Sequence, residues 1–135
     1  MKKTISKLKK ELDTIFSIYI RLRDADDLGF VECFTSGRFY HYKNIHAGHF
    51  MSRKHLSTRW CDTNVQPQSI GDNLFGQGEQ YKFSIALDSK YGEGTAEELE
   101  LLARTIMKVS RIDYEDKISY YKEAVEKLKK EKGIE

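Results

Sequence analysis

Apolar positions along the first quarter of the chain recur at helical spacing. Ile5, Leu8, Leu12, Ile15, Tyr19 and Leu22 advance by alternating steps of three and four, and Phe16 and Ile20 widen the stripe. This predicts an amphipathic helix over residues 4–26, ended by the acidic run Asp24 to Asp27 and by Gly29. The period then shortens. Phe30 to Phe34, a turn at Thr35-Ser36-Gly37, and Phe39 to Tyr42 read as a β-hairpin. Ala47 to Ser52 and Leu56 to Trp60 read as short extended pieces, and Asn73 as the N-cap of a helix reaching about Tyr91. After the break at Gly92-Glu93-Gly94, Thr95 to Glu98 fits a capping box, with Leu99, Leu102, Ile106 and Val109 on one face. Asp113 opens a last helix whose stripe is Tyr114, Ile118, Tyr121, Val125 and Leu128. The stripes of the first and last helices suit ordinary core packing, pairing with each other, or pairing across a dimer.

A chain of 135 residues with 39% hydrophobic and 33% charged residues and a single proline fits one globular domain. Its mean hydropathy is −0.63, and no apolar run approaches the ~20 residues of a membrane span. The basic start Met1-Lys2-Lys3 is not followed by a signal-type apolar stretch. The expectation is a soluble, cytoplasmic protein without membrane contact. Cys33 and Cys61 then read as reduced, partly buried thiols.

The net charge of +2 is uninformative, but its distribution is not. From Cys33 to Cys61 there is no Asp or Glu, while Arg38, Lys43, Arg53, Lys54, Arg59 and all four histidines (His41, His46, His49, His55) lie inside. Such a centre suits a polyanion; the plainer reading is a solvated basic face. With no acid nearby, Arg53 and Arg59 read as phosphate contacts rather than ion pairs. Arg21 and Arg23 could extend the same surface, although Asp24 and Asp26 offer a helix-end salt bridge instead.

His49, Asn64 and Asn73 are spaced as a ββα unit able to hold one divalent cation against a phosphodiester. In that unit His49 takes a proton from water, Asn64 pins the loop, and Asn73 offers an amide oxygen to the cation. The segments Tyr19 to Asp26, His46 to Arg53, Arg59 to Val65, Gln68 to Tyr81 and Leu87 to Gly92 carry a resemblance that runs through most of the chain, and Ala47-Gly48-His49-Phe50-Met51-Ser52-Arg53 is its most specific string. They resemble the phage lambda NinG (Rap) family of recombination endonucleases, a branch of the HNH, or His-Me finger, nucleases. The resemblance implies an α+β, mostly helical fold. A small HNH-like ββα-metal centre is embedded between an N-terminal helix and three C-terminal helices, in a single domain divided as N-terminal helix 4–26, HNH-like core 29–91 and C-terminal helices 95–132. It also implies catalytic roles for His49, Asn64 and Asn73, Mg²⁺ or Mn²⁺ as cofactor, and branched recombination DNA as partner. A homodimer would suit a symmetrical junction.

Two departures from the family pattern matter. The family's two Cys-x-x-Cys pairs read here as Cys33-Phe34-Thr35-Ser36 and Ser69-Ile70-Gly71-Asp72, so the zinc knuckle is degenerate and structural zinc is expected to be absent. Packing must then hold the centre, through Phe34, Phe39, Tyr40 and Trp60. Gly48 also stands where many HNH enzymes carry a second metal ligand, which leaves His46, Asp72, or the substrate phosphate with water to complete the site. The rival to an enzyme is a non-catalytic DNA-binding recombination accessory protein with a decayed centre.

Overall fold

Residues 2–135 are described by a computed structural model. Helix α1 (Ile5–Arg23) is capped by Thr4, whose Oγ1 accepts from the Lys7 amide at 3.2 Å. Four of its buried residues, Leu8, Leu12, Phe16 and Ile20, fall on one side because they are four apart. They pack on the last helix, α5 (Arg111–Lys132), through Tyr114, Ile118 and Tyr121. Phe16 meets Tyr121 edge-on at 4.9 Å between ring centroids. The two stripes therefore pair with each other inside one chain. Ser110, rather than Asp113, caps α5: its hydroxyl accepts from the Asp113 amide while the Asp113 carboxylate accepts from the Ser110 amide.

Between these helices lie two small antiparallel sheets. Strands β1 (Phe30–Glu32) and β2 (Phe39–His41) form the expected hairpin, with Val31 opposite Tyr40. Strands β3 (His46–His49) and β4 (Val65–Gln68) form the second, with His46 opposite Gln68 and His49 opposite Val65. The Phe34 amide donates to the Pro67 carbonyl at 2.8 Å and ties hairpin to sheet. Leu56 to Trp60, expected as extended, instead forms the short helix α2 (Leu56–Arg59). After β4 the chain makes a π-helical turn over Gly71–Phe75, then helix α3 (Gln80–Tyr91). Asn73 thus sits inside a turn and does not cap the helix, because the chain breaks at Gly76 to Glu79 before α3 begins.

Helix α4 (Thr95–Ala103) lacks the expected capping box; Gly94 occupies the cap, and the Ala96 amide donates to Asp88 at 3.0 Å. It ends early. Arg104 and Thr105 donate to carbonyls three residues back, which tightens the last turn and leaves Ile106 in water, 94% exposed. Phe39, expected to support the centre, is also exposed, whereas Trp60 is buried against α1 and α5. The fold is mixed α+β and mostly helical. Among the described residues no helix is long and apolar enough to cross a membrane.

Candidate functional site

Strand β3 delivers His49 to the inner side of a loop that Asn64 closes. Asn64 is wholly buried. Its Oδ1 accepts from the Met51 amide at 2.8 Å, and its Nδ2 donates to the carbonyls of Met51 and Thr58, both at 3.0 Å. The Phe50 amide donates to the Asn64 carbonyl at 2.9 Å, which carries the β3–β4 ladder one step past His49. One side chain therefore fixes both the end of β3 and the end of α2.

That closure places the Arg59 carbonyl 2.9 Å from His49 Nε2. A carbonyl can only accept, so Nε2 carries the hydrogen and Nδ1 keeps the lone pair. Burial pushes the His49 pKa below the usual 6.5, and the nearby Arg53 and Arg59 guanidinium groups act in the same direction; the Arg59 carbonyl and Asp13 oppose them without prevailing. His49 is consequently neutral near pH 7, as a base must be.

Arg59 does not lack an acidic partner. Asp13 reaches it from α1, accepting from Arg59 Nε at 3.1 Å and Nη2 at 2.5 Å, while the Trp60 indole donates to the same carboxylate at 2.9 Å. The acid-free window hid a partner forty-six residues away. Arg59 is thus a structural ion pair that aims the carbonyl holding His49, and its charge is committed. Arg53 is different: it lies 3.9 Å from Asp13 with its side chain 64% exposed. Arg23 takes the salt bridge to Asp24.

Asn73 is brought to His46, the first residue of β3; its Nδ2 lies 3.0 Å from His46 Nδ1. Gly48 stays a glycine because the Gln68 side chain crosses the strand there. A Cβ at 48 would run into Gln68 Oε1 and lie 2.9 Å from Gln68 Cβ, so a side chain at this position requires Gln68 to shift. Asp72 points away from Asn73, accepting from Thr35 Oγ1 at 2.7 Å. Of the open choices, geometry puts His46 beside Asn73 and turns Asp72 to the degenerate knuckle.

The four knuckle positions still converge. The Ser69 amide donates to Cys33 Sγ at 3.2 Å, and the Asp72 amide donates to Ser69 Oγ at 3.1 Å. Burial raises the pKa of Cys33, but hydrogen bonds from Ser36, the Ser69 backbone and Thr35 outweigh it and leave the thiol below its usual value. Hydrogen bonds thus join Cys33 to Ser69 and Ser69 to Asp72. Both cysteines are free.

His46, His49 and Asn73 line one cavity of about 780 Å³. Asp13, Ser17 and Arg21 of α1 form one wall, and Lys43 and Arg53 bring positive charge to it. The α1 residues Asp13 and Ser17 were not marked by local sequence, because their helical stripe reads as core and solvent only. Arg38 lies elsewhere, beside the knuckle with Lys82, and Lys54 is exposed outside the cavity wall. His46 Nδ1 and Asn73 Nδ2 bond each other, so a divalent cation held here would have to use His46 Nε2 and Asn73 Oδ1, with water and a phosphate oxygen completing its shell; such an N/O pair would suit Mn²⁺ better than Mg²⁺, which prefers oxygen donors. Among the described residues no group of three or more His, Cys, Asp and Glu could hold a metal ion without such help.

The chain matches no curated protein and no solved structure. The family model described as bacteriophage Lambda NinG protein matches residues 1–131, nearly the whole length, and the chain belongs to that family.

Proposed function

We propose that the chain is a metal-dependent DNA endonuclease that acts on branched or structured DNA in phage recombination. One observation carries the reading. His49 is locked in a single tautomer by the Arg59 carbonyl, buried enough to stay neutral, and faces a cavity shared with the His46–Asn73 pair and with Lys43 and Arg53. Membership in the NinG family supports the recombination role.

The residues divide the work as follows. Lys43 and Arg53 hold the phosphate backbone, and Arg21 backs them from α1, its Nη1 donating to the Tyr42 carbonyl at 2.8 Å. His49 Nδ1 accepts a proton from water as the water oxygen attacks phosphorus and the bond to the leaving oxygen breaks. Nε2–H stays on Arg59, so the positive charge that forms on the imidazole is met by a carbonyl dipole and, through Arg59, by Asp13. His46 and Asn73 would hold the cation, whose contribution when bound is to neutralise charge at the leaving oxygen. Asn64 touches no substrate and keeps the loop closed.

The test is cleavage of synthetic junction, flap and linear duplex DNA with Mg²⁺, Mn²⁺ or EDTA. Metal-dependent cutting of the structured substrates, best in Mn²⁺ and abolished by EDTA, is expected. Tight junction binding with no cutting under any metal would retire the enzyme in favour of a non-catalytic recombination accessory protein.

A further inference from the structure

The turn that presents Asn73 also holds apolar side chains out in water. Gly71–Phe75 is closed by the Gly76 amide donating to the Gly71 carbonyl at 2.9 Å. Gln77, Gly78 and Glu79 then adopt φ of 55°, 82° and 48°, a left-handed run that two non-glycine residues rarely share. Two bonds lock it. The buried Gly78 donates its amide to the Asp72 carbonyl at 2.8 Å and accepts from Gln68 Nε2 at 2.7 Å. On this fixed turn Leu74 is 58% exposed and Phe75 86% exposed.

Leu74 lines the same cavity as His46, His49, Lys43 and Arg53, and Phe75, the next residue of the turn, stands in solvent just outside that wall. Apolar side chains favour burial, and this turn is shaped to deny it to them. Their setting indicates the occupant. Exposed cations share the cavity, and Asp13, the one carboxylate on its wall among the described residues, is committed to Arg59. A protein partner's interface core is depleted of charge, whereas basic side chains beside an exposed aromatic suit nucleic acid, the cations meeting phosphate and the aromatic meeting a base face. In intact duplex DNA base faces are covered by their neighbours, so an aromatic reaches one only where a strand is unpaired or a step is opened.

We infer that Phe75, backed by Leu74, stacks on an unpaired or unstacked base beside the phosphate held in the cavity, and so selects DNA with an opened step. The inference rests on the nuclease reading only for where the scissile phosphate lies; the stacking itself is a binding property. It makes Phe75 a specificity residue that never touches the reacting atoms.

The test uses the full chain in EDTA, so that no cleavage intervenes. Affinity is measured for a flap carrying 2-aminopurine at its branch and for a blunt duplex of the same sequence, with wild type, Phe75→Ala and Phe75→Trp. Phe75→Ala should weaken flap binding by about 5- to 150-fold, the range for one lost base–aromatic stack, and leave duplex binding unchanged. The 2-aminopurine signal of the bound complex should change with it, and Phe75→Trp should restore both. No loss, or equal loss on both substrates, overturns the inference. Phe75-dependent flap binding by a protein that cuts nothing in Mn²⁺ leaves the stacking role standing while the nuclease reading falls. Metal-dependent cleavage whose rate and affinity ignore Phe75→Ala does the reverse and assigns the apolar pair to a protein partner.

Discussion

At the scale of single residues, the site separates groups that act from groups that aim. His49 carries the proposed chemistry, and His49→Ala should lower cleavage by about 10²- to 10⁴-fold while junction binding survives. The proposed base works only when neutral. Its pKa is held below 6.5 by burial, so the acid limb of the rate should lie below that value, with a plateau by pH 7. The same shift sets a stability trend. The unfolded chain takes up the proton first, so this contribution is lost as pH falls from about 6.5 toward the folded pKa, and denaturant unfolding of wild type against His49→Gln measures it. Asn73→Ala should cut poorly but recover as Mn²⁺ is raised, because the remaining ligand His46 still binds. Asn64→Ala should show no such recovery. It strips partners from the Met51 amide and from two carbonyls, and should destabilise the fold by at least about 1–3 kcal/mol. Equal metal responses in the two asparagine variants would refute this division of roles.

At the scale of elements, legibility in the sequence followed the length of the repeat. The faces of α1 and α5 extend over several turns, so their periodicity survives any local noise and names the buried residues in advance. Helix α2, of four residues, is shorter than the pattern needed to tell it from a strand. Strand β4 is buried on both sides, so Val65, Gln66, Pro67 and Gln68 show no alternation, and two buried glutamines look polar until their partners are known. The string around His49 pointed to a segment that does line the central cavity. The Asp13–Arg59 pair was not, since nothing local connects α1 to α2. The knuckle carries its own prediction. Cys33, Ser36, Ser69 and Asp72 still meet, held by Thr35 and backbone amides, so the protein should keep its melting temperature in EDTA. Ser36→Cys, Ser69→Cys and Asp72→Cys together should add one zinc per chain and a chelator-sensitive melting transition. A wild-type protein that carries one tightly held zinc and unfolds on chelation would contradict the hydrogen-bonded knuckle.

At the scale of the whole molecule, a net charge of only +2 would have to serve the proposed DNA substrate, so placement has to compensate for number. Lys43 and Arg53 share the wall of the central cavity, with Arg21 behind them, and the acidic runs lie on other elements. Two arginines of the acid-free window, Arg53 and Arg59, therefore part company. Arg53 is exposed and only 3.9 Å from Asp13 at its nearest, so a phosphate can compete for it. Arg59 is forked onto Asp13 with both side chains largely covered, so it has little charge left to lend. Counterion release makes the difference measurable, since each lost phosphate contact flattens the slope of log affinity against log salt by about 0.9 on duplex DNA. Lys43→Ala and Arg53→Ala should each flatten it by that amount and weaken binding alike on all sequences. Arg59→Ala should leave the slope near the wild-type value but lower unfolding free energy by about 1–3 kcal/mol, because it leaves Asp13 without its fork. It should also slow cleavage, as the carbonyl that fixes the His49 tautomer loses its anchor. A flattened slope in Arg59→Ala with unchanged stability would return that arginine to the DNA surface and remove Asp13 from the chain of residues that aims His49.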